Sequence, residues 1–119
     1  MRSTRRKRSR PSAARTTLGK RQLEELIEEA IVDAYGESEQ RVGFLTMLQN
    51  DLAFPFEIEI LGAPAIVEGV ELNDAEDIVA ICRRDRHKQL IPILNLALPS
   101  PRPVGWEWIE AYRRWARGR

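Results

Sequence analysis

The octapeptide Asp33-Ala34-Tyr35-Gly36-Glu37-Ser38-Glu39-Gln40 joins two stretches of helical periodicity, and the order of elements is read from it in both directions. Before it, Leu23, Leu26, Ile27, Ala30, Ile31 and Ala34 recur at helical spacing, with Glu24, Glu25, Glu28 and Glu29 on the remaining faces. That pattern predicts an amphipathic helix. Gly36 is placed to end it in a left-handed cap. Ser38 then suits the N-cap of a second helix, and Glu39 suits the positive field of its first turn. Val42, Phe44, Leu45, Met47, Leu48 and Leu52 give that helix a broad apolar stripe and carry it to about Asp51. Two antiparallel helices joined by a short turn are the simplest arrangement.

From Phe54 the period changes to two. Phe54, Phe56, Ile58 and Ile60 alternate with Pro55, Glu57, Glu59 and Leu61, which predicts a half-buried strand ended by Gly62 and Pro64. Ala65 to Leu72 reads as a second strand with Gly69 at a bulge, and Asn73-Asp74-Ala75-Glu76 as a turn. Ile78-Val79-Ala80-Ile81-Cys82 has the continuous apolar character of a strand covered on both faces, followed by a polar turn from Asp85 to Lys88. Leu90 to Leu94 is a further strand, which Pro92 confines to an edge or a bulge. Pro99, Pro101 and Pro103 form a stiff linker to a closing helix, where Trp108, Ile109, Tyr112, Trp115 and Ala116 share one face. Aromatics at that spacing are read as a lid over the core rather than a ligand site. The expected fold is α+β: an N-terminal helical hairpin, a small antiparallel SH3-like β-barrel, and a C-terminal Trp-rich helix.

The 119 residues carry a formal net charge of only +1, but this is a cancellation between blocks. Residues 1–22 hold nine bases and no acid, whereas residues 23–82 hold fifteen carboxylates against one base, Arg41. Residues 1–20 lack apolar periodicity and read as a disordered basic tail ahead of a single domain, 21–119. Cys82 is the one cysteine, no apolar run is long enough to span a bilayer, and no apolar segment follows the basic N-terminus. A cytoplasmic protein without a membrane segment is the expectation.

The acidic block directs attention to cations. Glu24, Glu25, Glu28 and Glu29 lie opposite an apolar stripe and are read as a solvated face. Carboxylates on turns are different, because Ca²⁺ takes six to eight oxygens at flexible geometry and turn carbonyls supply some of them. Two acidic turns qualify: Asp33 to Glu39, and Asn73-Asp74-Ala75-Glu76-Asp77. Neither is an EF-hand: Tyr35 stands where the loop needs an oxygen at its third position, and the second turn has no Gly at its sixth.

The segment from Glu29 through Asp33-Ala34-Tyr35-Gly36, Glu39-Gln40 and Gly43, followed by Leu48, Leu52 and Phe54-Pro55-Phe56, resembles the opening of the small prokaryotic calcium-binding protein family of the CcbP type. The resemblance is strongest over residues 23–61 and returns at Trp108 to Trp115, because family members also close with a Trp-containing helix. It implies a helical pair leading into a compact β-barrel, and Ca²⁺ bound by clustered carboxylates in a non-enzymatic buffer or sensor. Asp33 and Glu39 match the motif and carry over as metal ligands, with Glu37 at a variable position of it. Asp74, Glu76 and Asp77 stand where the family has its carboxylate-rich barrel stretch. Asp33 and Glu39 also admit a structural reading, in which they fix the turn between the helices. The chain departs from the family in being basic from Arg83 to Lys88.

The tail supports a second reading, a non-catalytic protein-interaction module tethered to nucleic acid. Arg2, Arg5, Arg6, Lys7, Arg8 and Arg10 suit sequence-independent, salt-sensitive phosphate contacts, and no aromatic stands among them to stack on bases. Arg83, Arg84, Arg86, His87 and Lys88 read as a solvated turn, or as a patch that docks the acidic helix of another copy. Catalysis has little support. Cys82 sits in an apolar strand, one Cys and one His fall short of a zinc site, and the seven glycines are scattered singly rather than forming a phosphate loop.

Overall fold

Between Lys20 and Ala30 the chain coils into the amphipathic helix α1, burying Leu26 and Ala30 and leaving Glu24, Glu25 and Glu28 in water. A computed structural model describes residues 18–118. The next helix, α2 (Glu37–Asp51), buries Phe44 and Leu48. Four strands follow, β1 (Phe56–Ile60), β2 (Ala63–Leu72), β3 (Ile78–Arg84) and β4 (His87–Pro92), then a 3-10 turn (Ile93–Asn95) and α3 (Glu107–Gly118). Of the expected basic tail 1–20, Leu18 packs against the core, Gly19 stands at the N-cap of α1 and Lys20 is its first residue, while residues 1–17 lie outside the described residues.

The helical joint differs in detail from the expected one. Helix α1 ends at Ala30, and Ile31 closes it with an N–H donated to the Ile27 carbonyl. Asp33, at φ 64°, supplies the left-handed step expected of Gly36. Gly36 instead stands at the N-cap of α2 with φ 153° and ψ 164°, a combination essentially restricted to glycine. Ser38 therefore lies inside the first turn of α2, which frees its hydroxyl for a longer-range partner. The helices meet at Gly43, where a Cβ would run into the backbone carbonyl of Ala30.

The strands form an antiparallel meander in the order β1-β2-β3-β4. Leu61 and Gly62, both left-handed, turn the first hairpin, and the register shifts between Val67 and Gly69, where the bulge was expected. Two residues, Asp85 and Arg86, turn the last hairpin. His87 and Lys88 are thus already paired in β4, opposite Arg84 and Arg83, instead of belonging to a longer loop. Among the described residues β1 and β4 do not pair, so the sheet is open and the expected SH3-like barrel is not closed. The physical reason is that helices cover its inner face. Ile58, Ala65, Val67, Val70, Ala80 and Cys82 pack in one cluster with Phe44 and Leu48 of α2 and Trp108, Ile109, Tyr112 and Trp115 of α3. A sheet whose apolar face is already covered gains nothing by curling upon itself.

Helix α3 is the expected aromatic lid, tied down at several points. Phe44 packs edge-on against Tyr112 at 5.6 Å and lies 5.3 Å from Trp115. The indole N–H groups of Trp108 and Trp115 reach Asp51 Oδ2 at 3.0 Å and Gln40 Oε1 at 2.9 Å. Arg113 donates to the carbonyls of Ile93 and Leu96 and so fixes the 3-10 turn under the helix. Burial holds its pKa below the usual arginine range, against the pull of neighbouring Glu110.

Candidate metal centre

The two acidic turns singled out in the sequence meet in space. Ser38, in the first turn of α2, donates its hydroxyl to Glu76 Oε1 at 2.8 Å across thirty-eight residues of sequence. One helical turn further on, Arg41 places Nη1 3.5 Å from the same oxygen. Packing of α2 against β2 brings the β2–β3 turn to the N-terminal end of α2.

Each turn has its own internal scaffold. In the first, the Tyr35 N–H donates to Glu39 Oε1 at 2.7 Å, and the Ala34 N–H to the Ile31 carbonyl at 2.9 Å. Asp33 is exposed in the left-handed bend, and Glu37 is the exposed first residue of α2. In the second, Asn73 Oδ1 accepts from the Ala75 and Asp77 N–H groups, both at 2.9 Å, an Asx turn that winds the loop. The Asn73 N–H in turn donates to the Asp77 carbonyl at 3.0 Å. Glu76 adopts φ 66°, and Asp74, Glu76 and Asp77 are all exposed.

The structural role considered for Glu39 is therefore present, because its carboxylate ties down the turn. Among the described residues no three Asp, Glu, His or Cys side chains stand together as a metal cage. The cause is visible in the partners, since Glu39 and Glu76 have oxygens engaged by a main-chain amide, a hydroxyl and a guanidinium. In kind, however, the donors fit Ca²⁺. They are hard carboxylate oxygens on two adjoining turns, without thiol or imidazole among them, and turn carbonyls lie beside them. The sequence reading passed over Arg41 except as the single base in the acidic block, and took Ser38 as a cap and Asn73 as a plain turn residue. The solitary position of Arg41 within so much negative charge was the one available signal.

The family model described as calcium binding, of the CcbP type, matches residues 24–116. The chain belongs to the CcbP family of calcium-binding proteins. Calcium is thus the ion bound by this CcbP-family protein. The crystal structure of CcbP from Anabaena superposes with a TM-score of 0.69, covering 85% of this chain and 94% of that one. The two sequences are 20% identical, so the superposition shows a shared fold. Among curated proteins, no sequence matches the chain. The family match takes in α1 from Glu24 onward, all of α2, the whole sheet and nearly all of α3, whereas residues 1–23 lie outside it.

Proposed function

We propose that this CcbP-family protein is a non-catalytic calcium buffer or sensor whose ion is held between the α1–α2 turn and the β2–β3 turn. The observation that carries the reading is the hydrogen bond from Ser38 to Glu76, which makes neighbours of two acidic turns far apart in sequence. Asp33, Glu37 and Glu39 would contribute from the first turn, and Asp74, Glu76 and Asp77 from the second. Exposed carboxylates on both turns repel one another without an ion, and a divalent cation relieves that repulsion as it binds. Flexible coordination suits Ca²⁺ here better than the strict octahedron demanded by Mg²⁺.

The test is an amide NMR comparison of the full chain in EDTA, Mg²⁺ and Ca²⁺. Shifts in both turns with Ca²⁺, smaller ones with Mg²⁺, and none at either turn in Asp33→Asn or Glu76→Gln are expected. Calcium-dependent shifts confined to another part of the molecule would sink the assignment. A buffer and a sensor separate by the extent of change: a buffer shifts only around the ion, whereas a sensor alters a surface remote from it.

A further inference from the structure

Arg41 is the single base between residues 23 and 82, and it is held in an unusual way. Its side chain is only 12% exposed, although the Glu76 carboxylate it pairs with is 56% exposed. The guanidinium carbon lies 5.3 Å from the centre of the Trp115 ring, and Nη1 lies 3.5 Å from Glu76 Oε1. Its Nε is buried and has no hydrogen-bond partner among the described residues. A guanidinium free to choose would not leave a donor orphaned. Its position is set by attraction to the carboxylate on one side and to the aromatic face on the other.

We propose that Arg41 is a built-in competitor for calcium: it neutralises Glu76 in the ion-free protein, yields the carboxylate when the ion arrives, and relays that change to Trp115. The inference rests on the reading of the two turns as the calcium site. A cation taking the Glu76 oxygen removes one of the two restraints on Arg41 and repels the guanidinium as well. Linkage makes the effect reciprocal, so calcium loosens the Arg41–Trp115 contact to the extent that Arg41 weakens calcium binding. Trp115 also donates to Gln40, the residue next to Arg41 on α2, so the aromatic lid has a second tie to the same helix end. This gives the ion a direct route to the closing helix without rearrangement of the core.

The experiment is calcium titration of the full-length wild type, Arg41→Gln, Arg41→Lys and Glu76→Gln by calorimetry, with tryptophan emission followed in parallel. Arg41→Gln should bind Ca²⁺ roughly three- to tenfold more tightly, because one unit of positive charge beside a divalent ion is gone. Arg41→Lys should stay close to wild type. Calcium should change tryptophan emission in wild type and Arg41→Lys but not in Arg41→Gln. If Arg41→Gln fails to fold, Arg41→Met keeps the aliphatic stem against Trp115 and serves in its place. Equal affinity in wild type and Arg41→Gln, with Glu76→Gln weakened, overturns the competition alone. Unchanged affinity in Glu76→Gln overturns the siting of calcium at these turns, and the competition with it.

Discussion

Asp33 and Glu76 turn the chain through the left-handed region at φ 64° and 66°, one in each of the two facing turns. That conformation crowds the Cβ of an L-residue and costs on the order of 1 kcal/mol, less for Asp than for most. Glycine would relieve it, so Asp33→Gly separates the two roles open to this residue. The expected outcome is thermal stability without calcium equal to wild type or up to about 1 kcal/mol higher, with the calcium-dependent rise in melting temperature lost. A substitution that lowers the calcium-free melting point instead would show that the carboxylate chiefly holds the turn. Gly43 and Gly105 are constrained for a different reason. A Cβ at Gly43 meets the Ala30 carbonyl, and one at Gly105, where φ is 92°, meets the backbone of Asp51 and Leu52. Gly43→Ala should cost about 1–3 kcal/mol in chemical denaturation, since backbone rather than a side-chain tip must yield. Cys82 is buried, and burial raises its thiol pKa above the ordinary value. It should resist alkylation at pH 8 in the folded protein and react once the chain is unfolded.

Among the elements, α3 was the most legible, because Trp108, Ile109, Tyr112 and Trp115 carry an unmistakable helical period and all four are buried. Its ties to α2 were not legible, since Asp51 and Gln40 look like ordinary surface positions of a helix. Trp108→Phe keeps the apolar bulk but removes the indole donor to Asp51, and should cost about 1 kcal/mol by urea denaturation. The β-hairpins were readable to within a few residues. The strand after Asp85 was placed too late because His87, Lys88 and Gln89 are polar, yet an edge strand exposed to water needs no apolar alternation to pair. On the outer face of the sheet, Arg83 donates to Glu68 at 2.6 Å and holds that carboxyl below the usual glutamate range. A depressed folded pKa means the pair stabilises above the ordinary carboxylate range and is lost as pH falls through the lower folded value. The side-chain NMR titration of Glu68 should therefore move up to the ordinary range in Arg83→Gln. Both partners are well exposed, so the melting temperature should hardly change.

For the molecule as a whole, the dominant fact is the segregation of charge into a basic N-terminal stretch and an acidic body. Ligand linkage predicts that calcium at a hundred times its dissociation constant adds about 2.7 kcal/mol to stability, readable as a rise in melting temperature that EDTA reverses. The alternative reading, in which the basic stretch contacts nucleic acid independently of sequence, makes a prediction of its own. Truncation of residues 1–17 should abolish salt-sensitive retention on DNA while leaving the calcium-dependent rise intact. Loss of both together would mean that the basic stretch and the acidic body act as one unit.

Periodicity alone was enough to order helix, helix, four strands and helix, because apolar residues must recur at the repeat of whichever element buries them. The run from Asp33 to Gln40, with Phe54-Pro55-Phe56 beyond it, was enough to indicate the family. Neither could reveal that Glu76 faces Ser38 and Arg41, that Asp33 rather than Gly36 makes the left-handed bend, or that the sheet stays open. Those features depend on where α2 settles against β2 and on how much of the sheet the helices cover. Contacts between residues thirty-eight positions apart leave no trace in a local pattern, because they exist only once the intervening chain has found its packing.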